Sequence, residues 1–276
     1  MKKFLSAAIK AALVAAFAAC CCSAWGCGSY ARYFNSSAYL SGGAEISDNV
    51  TELCIDWLSG DIDVSAGDGG KLVFSEEKTG VSAENADGDL AVRYLLDGSV
   101  LKIKFAKSGA RIPTGFGKKL TVILPRGFAP DKITAENVSG NVYITDVRCA
   151  ELEVKTVSGD VAITRAALSR SLEADSVSGK VSFDGETPCA DIDTTSGDVN
   201  LAFAFNPREL EVKTVSGETT LIFYAQPDFK IEFSSVSGKF TGETEYTDSG
   251  KYKIFGSGAY EYETESTSGG VTVKRG

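Results

Sequence analysis

Histidine is absent from all 276 residues, methionine occurs once, and cysteine is scarce outside one short stretch. With no imidazole there is no Ser-His-Asp or Cys-His nucleophile, no histidine metal ligand, and no side chain that ordinarily titrates near neutral pH. Four of the seven cysteines (20, 21, 22 and 27) crowd near the N-terminus, leaving Cys54, Cys149 and Cys189. Three scattered cysteines are no disulfide framework and read as small buried hydrophobes. Positive charge is also in deficit, with 28 Lys and Arg against 37 Asp and Glu. A net charge of −9 argues against nucleic acid and anionic lipid as direct partners, since both are bound through clustered Lys and Arg. The 43% of hydrophobic and 24% of charged residues belong to an ordinary folded protein. The length suits one large domain or two small ones.

Lys2, Lys3 and Lys10 precede an uncharged run of 21 residues, Ala11 to Ala31. A basic start followed by an apolar run reads as an export signal, and three endings compete. Ala16-Phe17-Ala18 resembles a small-x-small cleavage site. Phe17-Ala18-Ala19-Cys20 resembles a bacterial lipobox with Cys20 as the lipid attachment point, although Phe17 stands where leucine is usual. The whole stretch is also long enough to remain as a bilayer anchor, although Ser23, Gly26, Gly28 and Ser29 weaken its second half. All three imply export. Cleavage before Cys20 removes three lysines and no acid, which takes the charge from −9 to −12.

From residue 133 onward a Ser-Gly dipeptide returns in a fixed phase, with glycines at 140, 159, 179, 197, 217, 238 and 269 and an outlying copy at Ser59-Gly60. Seven residues before the glycine stand Leu53, Ile133, Leu152, Leu172, Ala190, Leu210, Ile231 and Tyr262. Two after it stand Ile62, Val142, Val161, Val181, Val199, Thr219, Phe240 and Val271. The period-two alternation on both sides of Ser-Gly means two short strands joined at a tight corner, where glycine supplies a positive φ. One such unit cannot bury its own apolar face, so coils stack, placing like positions about 4.8 Å apart. The predicted fold is all-β, a single-stranded parallel β-helix of about 20 residues per coil, right-handed by the crossover rule. Three residues before the glycine, Asn137, Thr156, Ser176, Thr194, Thr214, Ser235 and Ser266 point inward by parity, with Trp57 in the first copy. They are expected to form a ladder of hydroxyls bonded along the stack and to the corner backbone.

The units Ile55–Val64 and Val154–Ile163, of the form I-x-x-x-S-G-D-I-x-V and V-x-T-V-S-G-D-V-x-I, resemble the bacterial putative-adhesin family of exported β-helix proteins, a domain of unknown function. The resemblance spans roughly residues 45–276 and implies an architecture rather than an activity. It also implies an association with envelope-stress systems. Residues 1–31 then form the signal peptide, lipobox or anchor, 32–44 a linker, 45–130 irregular N-terminal coils, and 131–276 the regular Ser-Gly repeat with a C-terminal cap. Within the irregular part, Asp97-Gly98 marks a hairpin between Leu90–Leu96 and Val100–Phe105, and Leu120–Leu124 reads as a strand. The wide final gap, holding Tyr246, Tyr252, Phe255, Tyr260 and Tyr262, is expected to carry an insertion or cover for the open end.

Two rows of acids could carry chemistry. The residues after each glycine (Asp61, Asn141, Asp160, Lys180, Asp198, Glu218, Lys239 and Gly270) are broken by lysines and lack the spacing of calcium-binding β-rolls, so they read as solvated corners. Six before the glycine stand Glu153, Glu173, Asp191, Glu211, Glu232 and Glu263, with Glu52 assigned to the first copy and Thr134 breaking the row. Parity points this row outward as an acidic face for a weakly held cation or a basic partner, or simply for solubility. The acids recur on every rung, whereas catalysis needs one distinct constellation, so no enzyme, cofactor or metal site is expected. The resulting reading is a membrane-tethered, non-enzymatic envelope protein whose β-helix is an interaction surface. An envelope protein or a glycan is the candidate partner, and a carbohydrate-active protein or a structural spacer is the alternative. Cys149 and Cys189, two coils apart, should stand about 9.6 Å apart along the axis, beyond the roughly 7 Å a disulfide spans.

Overall fold

The computed structural model describes residues 29–30, 32–47, 49–80 and 88–276; the export segment and Cys20 lie outside the described residues. Among the described residues the chain is almost entirely β, with two short 3-10 turns and no helix long and apolar enough to cross a membrane.

The alternating pattern on each side of Ser-Gly becomes two strands per coil. In Lys132–Ser139 and Glu209–Ser216 every second residue turns inward, and Leu152, Val154, Ile163, Ile192 and Val212 are fully buried. Like positions pair in parallel: Ile133 with Leu152, Leu152 with Leu172, Leu172 with Ala190, Ala190 with Leu210. The second strands form a matching ladder through Val142, Val161, Val181, Val199 and Thr219. The stack is therefore solenoid-like, with one apolar core between two parallel faces. The glycine row shows why the dipeptide is invariant in phase. Gly159 holds φ +132°, and a Cβ there would run into the carbonyl of Gly140 on the coil below. Gly238 and Gly269 lie outside the positive-φ set but are crowded by the next coil in the same way. Close approach of the stacked backbones is thus the requirement common to the row.

The order of coils departs from chain order at both ends. Glu209–Ser216 pairs with Tyr260–Ser266, and only then does Tyr260–Ser266 pair with Phe229–Ser235. The last coil is thereby threaded between two earlier ones, and Gly217 neighbours Gly269 rather than Gly238. The 31-residue gap supplies the cover: Tyr252–Phe255 runs antiparallel along Phe229–Ser235, with Thr247–Asp248 beyond it. At the other end, Glu52–Ser59 stacks directly on Lys132–Ser139, while Val100–Lys104 and Phe116–Pro125 form an outer layer against Glu52–Ser59 and Ile62–Gly67. Arg93–Asp97 forms the expected hairpin with Val100–Lys104, and Leu72–Gly80 closes the layer antiparallel to Phe116–Pro125. Antiparallel strands thus cover the N-terminal end and the Phe229–Ser235 edge at the other, so these parallel edges are not left open to other chains. Residues 32–44, read as a linker, lie against this end: Leu40–Ser41 pairs with Arg93–Asp97, and the Tyr33 hydroxyl donates to the Ala106 carbonyl.

Candidate functional site

The structure brings the six predicted carboxylates into one row. Glu153 pairs with Glu173, Glu173 with Asp191, Asp191 with Glu211, Glu211 with Glu263, and Glu263 with Glu232. Glu52 does not belong to it; the position in the first copy is Cys54, and Glu52 pairs instead with Lys132. The sequence assignment slipped by two residues, which a strand's period of two leaves on the same face.

The row is only half exposed, because long side chains from the flanking rows pack against it. At its N-terminal end the charge is compensated. Glu153 takes Lys132 at 2.6 Å and also Lys155, which stands 3.8 Å from Glu173. Burial raises the Glu153 carboxyl pKa, but the hydrogen bonds from Lys132 and Lys155 outweigh it and the net shift is downward. Toward the C-terminal end the face becomes concave. A groove of about 430 Å³ is lined by Glu173, Asp191, Glu209, Glu211, Glu232, Glu261 and Glu263 over a floor of Leu172, Ala190, Leu210 and Tyr262. Lys155, Lys213, Lys230 and Lys251 reach Glu173, Glu211, Glu261 and Glu232 respectively, and the groove lining itself holds seven carboxylates and no lysine or arginine. Among the described residues no group of three or more acidic, cysteine or histidine side chains could hold a metal ion. The groove is a region of concentrated negative potential, which attracts and steers cationic groups.

Other expectations are corrected. The acids after the glycines are structural: Asp61 Oδ1 accepts the Asn141 amide at 2.8 Å, Asn141 Oδ1 that of Asp160 at 2.9 Å, and Asp160 Oδ1 that of Lys180 at 2.8 Å. Asp198 and Glu218 do the same for Glu218 and Gly270. The run breaks at Lys180, whose ammonium cannot accept an amide proton. The inward hydroxyl row is bonded only at its ends. Asn137 donates to the Gly60 and Gly140 carbonyls, and Ser235 and Ser266 accept from Gly238 and Gly269. Thr156, Ser176, Thr194 and Thr214 are buried, and their hydroxyl oxygens have no hydrogen-bond partner among the described residues. Small side chains are kept there although burying an unbonded hydroxyl is unfavourable.

Cys54, Cys149 and Cys189 are free. Only Cys149 is buried, and a register shift aligns it with Leu168, away from the row of Cys189. Burial pushes the Cys149 thiol up to about 12 and the Cys54 thiol to about 11, where neither is a nucleophile at neutral pH. Of the C-terminal aromatics, Phe255 and Tyr262 belong to the core, where Phe229 stacks between them, while Tyr246 and Tyr260 are partly exposed.

Lys118 was missed in the sequence, although it shares the inward parity of Leu120, Val122 and Leu124. Fully buried, it bonds the carbonyls of Leu90 and Phe105, pairs with Glu76 at 2.6 Å and lies 4.9 Å from the Trp57 ring. Burial outweighs Glu76 and pulls its pKa down to about 8.

Comparison with known proteins places this architecture. The family model described as Toastrack DUF4097 matches residues 47–274, almost the span over which the Ser-Gly units carry the resemblance. No curated protein matches the chain. Among solved structures, a "putative adhesin" from Bacteroides fragilis NCTC 9343 is similar at 17% identity and a TM-score of 0.49, covering 86% of this chain and 96% of its own. A "putative cell adhesion protein" from Clostridium sporogenes ATCC 15579 is similar at 12% identity and a TM-score of 0.38, covering 86% of this chain and 100% of its own.

Proposed function

The chain belongs to the Toastrack DUF4097 family, and from that premise we propose that it is a non-enzymatic, adhesin-like protein of the bacterial cell envelope. It is exported, held to the membrane through its N-terminus by Cys20 or an uncleaved anchor, and its solenoid is the interaction surface. On this reading the coil is right-handed with about 20 residues per turn, and the acidic groove docks a cationic partner.

The observation that carries the proposal is the in-register acid row opening into a groove lined by seven carboxylates and no lysine or arginine. Carboxylates stacked on adjacent strands repel, so a partner bearing Lys or Arg relieves that repulsion as it binds.

Titration of the full chain with a fluorescent decalysine peptide tests this. Binding should weaken steeply with salt and be lost in the Glu173→Gln/Asp191→Asn/Glu211→Gln variant, with decaglutamate failing to bind. Equal affinity of the triple variant would refute the groove as the docking surface. Mass spectrometry of the mature N-terminus tests the tether: a diacylglyceryl group on Cys20 or an intact Met1 supports it, and a free N-terminus after residue 18 refutes it.

A further inference from the structure

A second concavity on this acidic chain carries the opposite sign. It lies at the corner opposite the Ser-Gly row, where three stacked connections (residues 125–128, 146–148 and 165–167) bring Arg126, Arg148 and Arg165 around a cleft of about 340 Å³. Asp146 is the one acid lining it. Val147 is buried in its wall, and the half-buried Phe128 packs against the core beside it.

Two features set the cleft apart from a solvated corner. First, Asp146 and Arg165 both hold left-handed backbone, φ +57° and +52°, a conformation shared by only one other non-glycine residue among those described. Such backbone is unfavourable for an arginine and persists where the surroundings fix it, often at ligand sites. Here a two-point pair fixes it: Arg165 Nε meets Asp146 Oδ1 at 2.5 Å and Nη2 meets Oδ2 at 2.7 Å. Second, the three guanidiniums are not equivalent. Arg165 is held by Asp146 and Arg126 by Asp68 at 2.8 Å, whereas Arg148 makes no ion pair or side-chain hydrogen bond to a described residue. An exposed guanidinium between two anchored ones leaves a planar fork of N–H donors open to an incoming anion.

We propose that this cleft binds a small ligand bearing a phosphate or carboxylate group, received by Arg148 and flanked by Arg126 and Arg165. A guanidinium presents two parallel N–H donors that match two oxygens of either group. The volume lies at the lower end for small-molecule sites and suits a monosaccharide-sized anion, with Phe128 and Val147 facing its body. The proposal is independent of the acidic groove.

Calorimetric titration of the full chain at low ionic strength tests it with inorganic phosphate, glucose 6-phosphate, glucuronate and neutral glucose. Saturable binding of at least one anion and none of glucose is expected. Tighter binding of glucose 6-phosphate than of inorganic phosphate would identify a sugar-borne anion as the ligand; equal affinities would identify the free anion. Arg148→Ala should weaken binding about 10-fold or more, the usual worth of hydrogen bonds to a charged group. Arg148→Lys, which keeps the charge and loses the fork, should fall between. Glu77→Gln, at an exposed position outside both concavities, should change nothing, and circular dichroism should show each variant folded, because the Arg148 side chain is exposed and the backbone pairing of residue 148 with Ala167 does not depend on it. Absence of saturation by all three anions would overturn the proposal, as would unchanged affinity in Arg148→Ala. If Arg148→Ala instead abolishes concentration-dependent self-association in sedimentation while no anion binds, the cleft is a contact between copies and the ligand assignment falls.

Discussion

Replacing Gly159 by alanine tests the stacking argument directly. Gly159 sits mid-stack at φ +132°, and an added Cβ would stand well under 3.0 Å from the Gly140 carbonyl, which is backbone and cannot swing away. Relief requires moving two coils apart at their closest point. The Gly140 amide to Ser158 carbonyl bond (3.0 Å) and the Val142 amide to Asp160 carbonyl bond (2.8 Å) join those two coils on either side of that point and would both stretch. Two backbone bonds at about 1 kcal/mol each and about 1–3 kcal/mol for an unsuitable φ give a loss of roughly 3–5 kcal/mol. Gly109 is the control: it holds φ +83° with nothing within 4 Å of a Cβ, so Gly109→Ala should cost only about 1–2 kcal/mol, the backbone part alone. Urea unfolding of the full chain followed by circular dichroism gives both numbers. Native-state amide exchange should show faster opening at residues 140 and 142 in the first variant alone. Equal midpoint shifts for the two alanines would refute close approach as the reason for the Ser-Gly phase.

Lys180→Asn should restore the acceptor missing from the corner run, letting the Asp198 amide bond as its neighbours do; a gain of about 1 kcal/mol is expected in the same unfolding assay. Burial holds the Lys118 pKa down to about 8 in the folded chain, against an ordinary lysine value of 10.5 when unfolded, so between those values the unfolded chain binds the extra proton and stability rises with pH. The raised thiols of Cys54 and Cys149 act in the opposite sense, so the test is a difference: the rise should be larger in the parent chain than in Lys118→Met, read by Trp fluorescence between pH 7.5 and 10.5. Phe223→Ala removes a fully buried ring stacked on Phe203 and Phe229 and should cost about 3–5 kcal/mol in unfolding free energy. Deleting residues 247–255 strips the antiparallel cover from Phe229–Ser235 and should produce concentration-dependent aggregation by light scattering, as exposed strand edges do; a monodisperse deletion variant would show the cover is dispensable.

The repeat determined a great deal without coordinates. Alternation around Ser-Gly specifies two strands and a corner, and the insufficiency of one unit requires stacking, so the parallel register of Ile133, Leu152 and Leu172 follows from local chemistry alone. The acid row was legible for the same reason: period two assigns a face to each residue, and counting six back from Gly60 reaches Cys54 rather than Glu52. Periodicity describes neighbours along the chain, and the rest depends on neighbours across it. Only the fold placed the final coil between the coils of Gly217 and Gly238, because the choice is set by which edge each end must cover. Only the fold turned the corner acids into amide acceptors, since that role depends on the distance to the coil above. Arg126, Arg148 and Arg165 share no repeat phase that marks them in sequence, and Lys118, though inward by parity, reads by its charge as a surface residue until Glu76, Trp57 and Phe105 close around it. These sites arise where irregular connections from separate coils meet, and no single stretch of sequence holds that information.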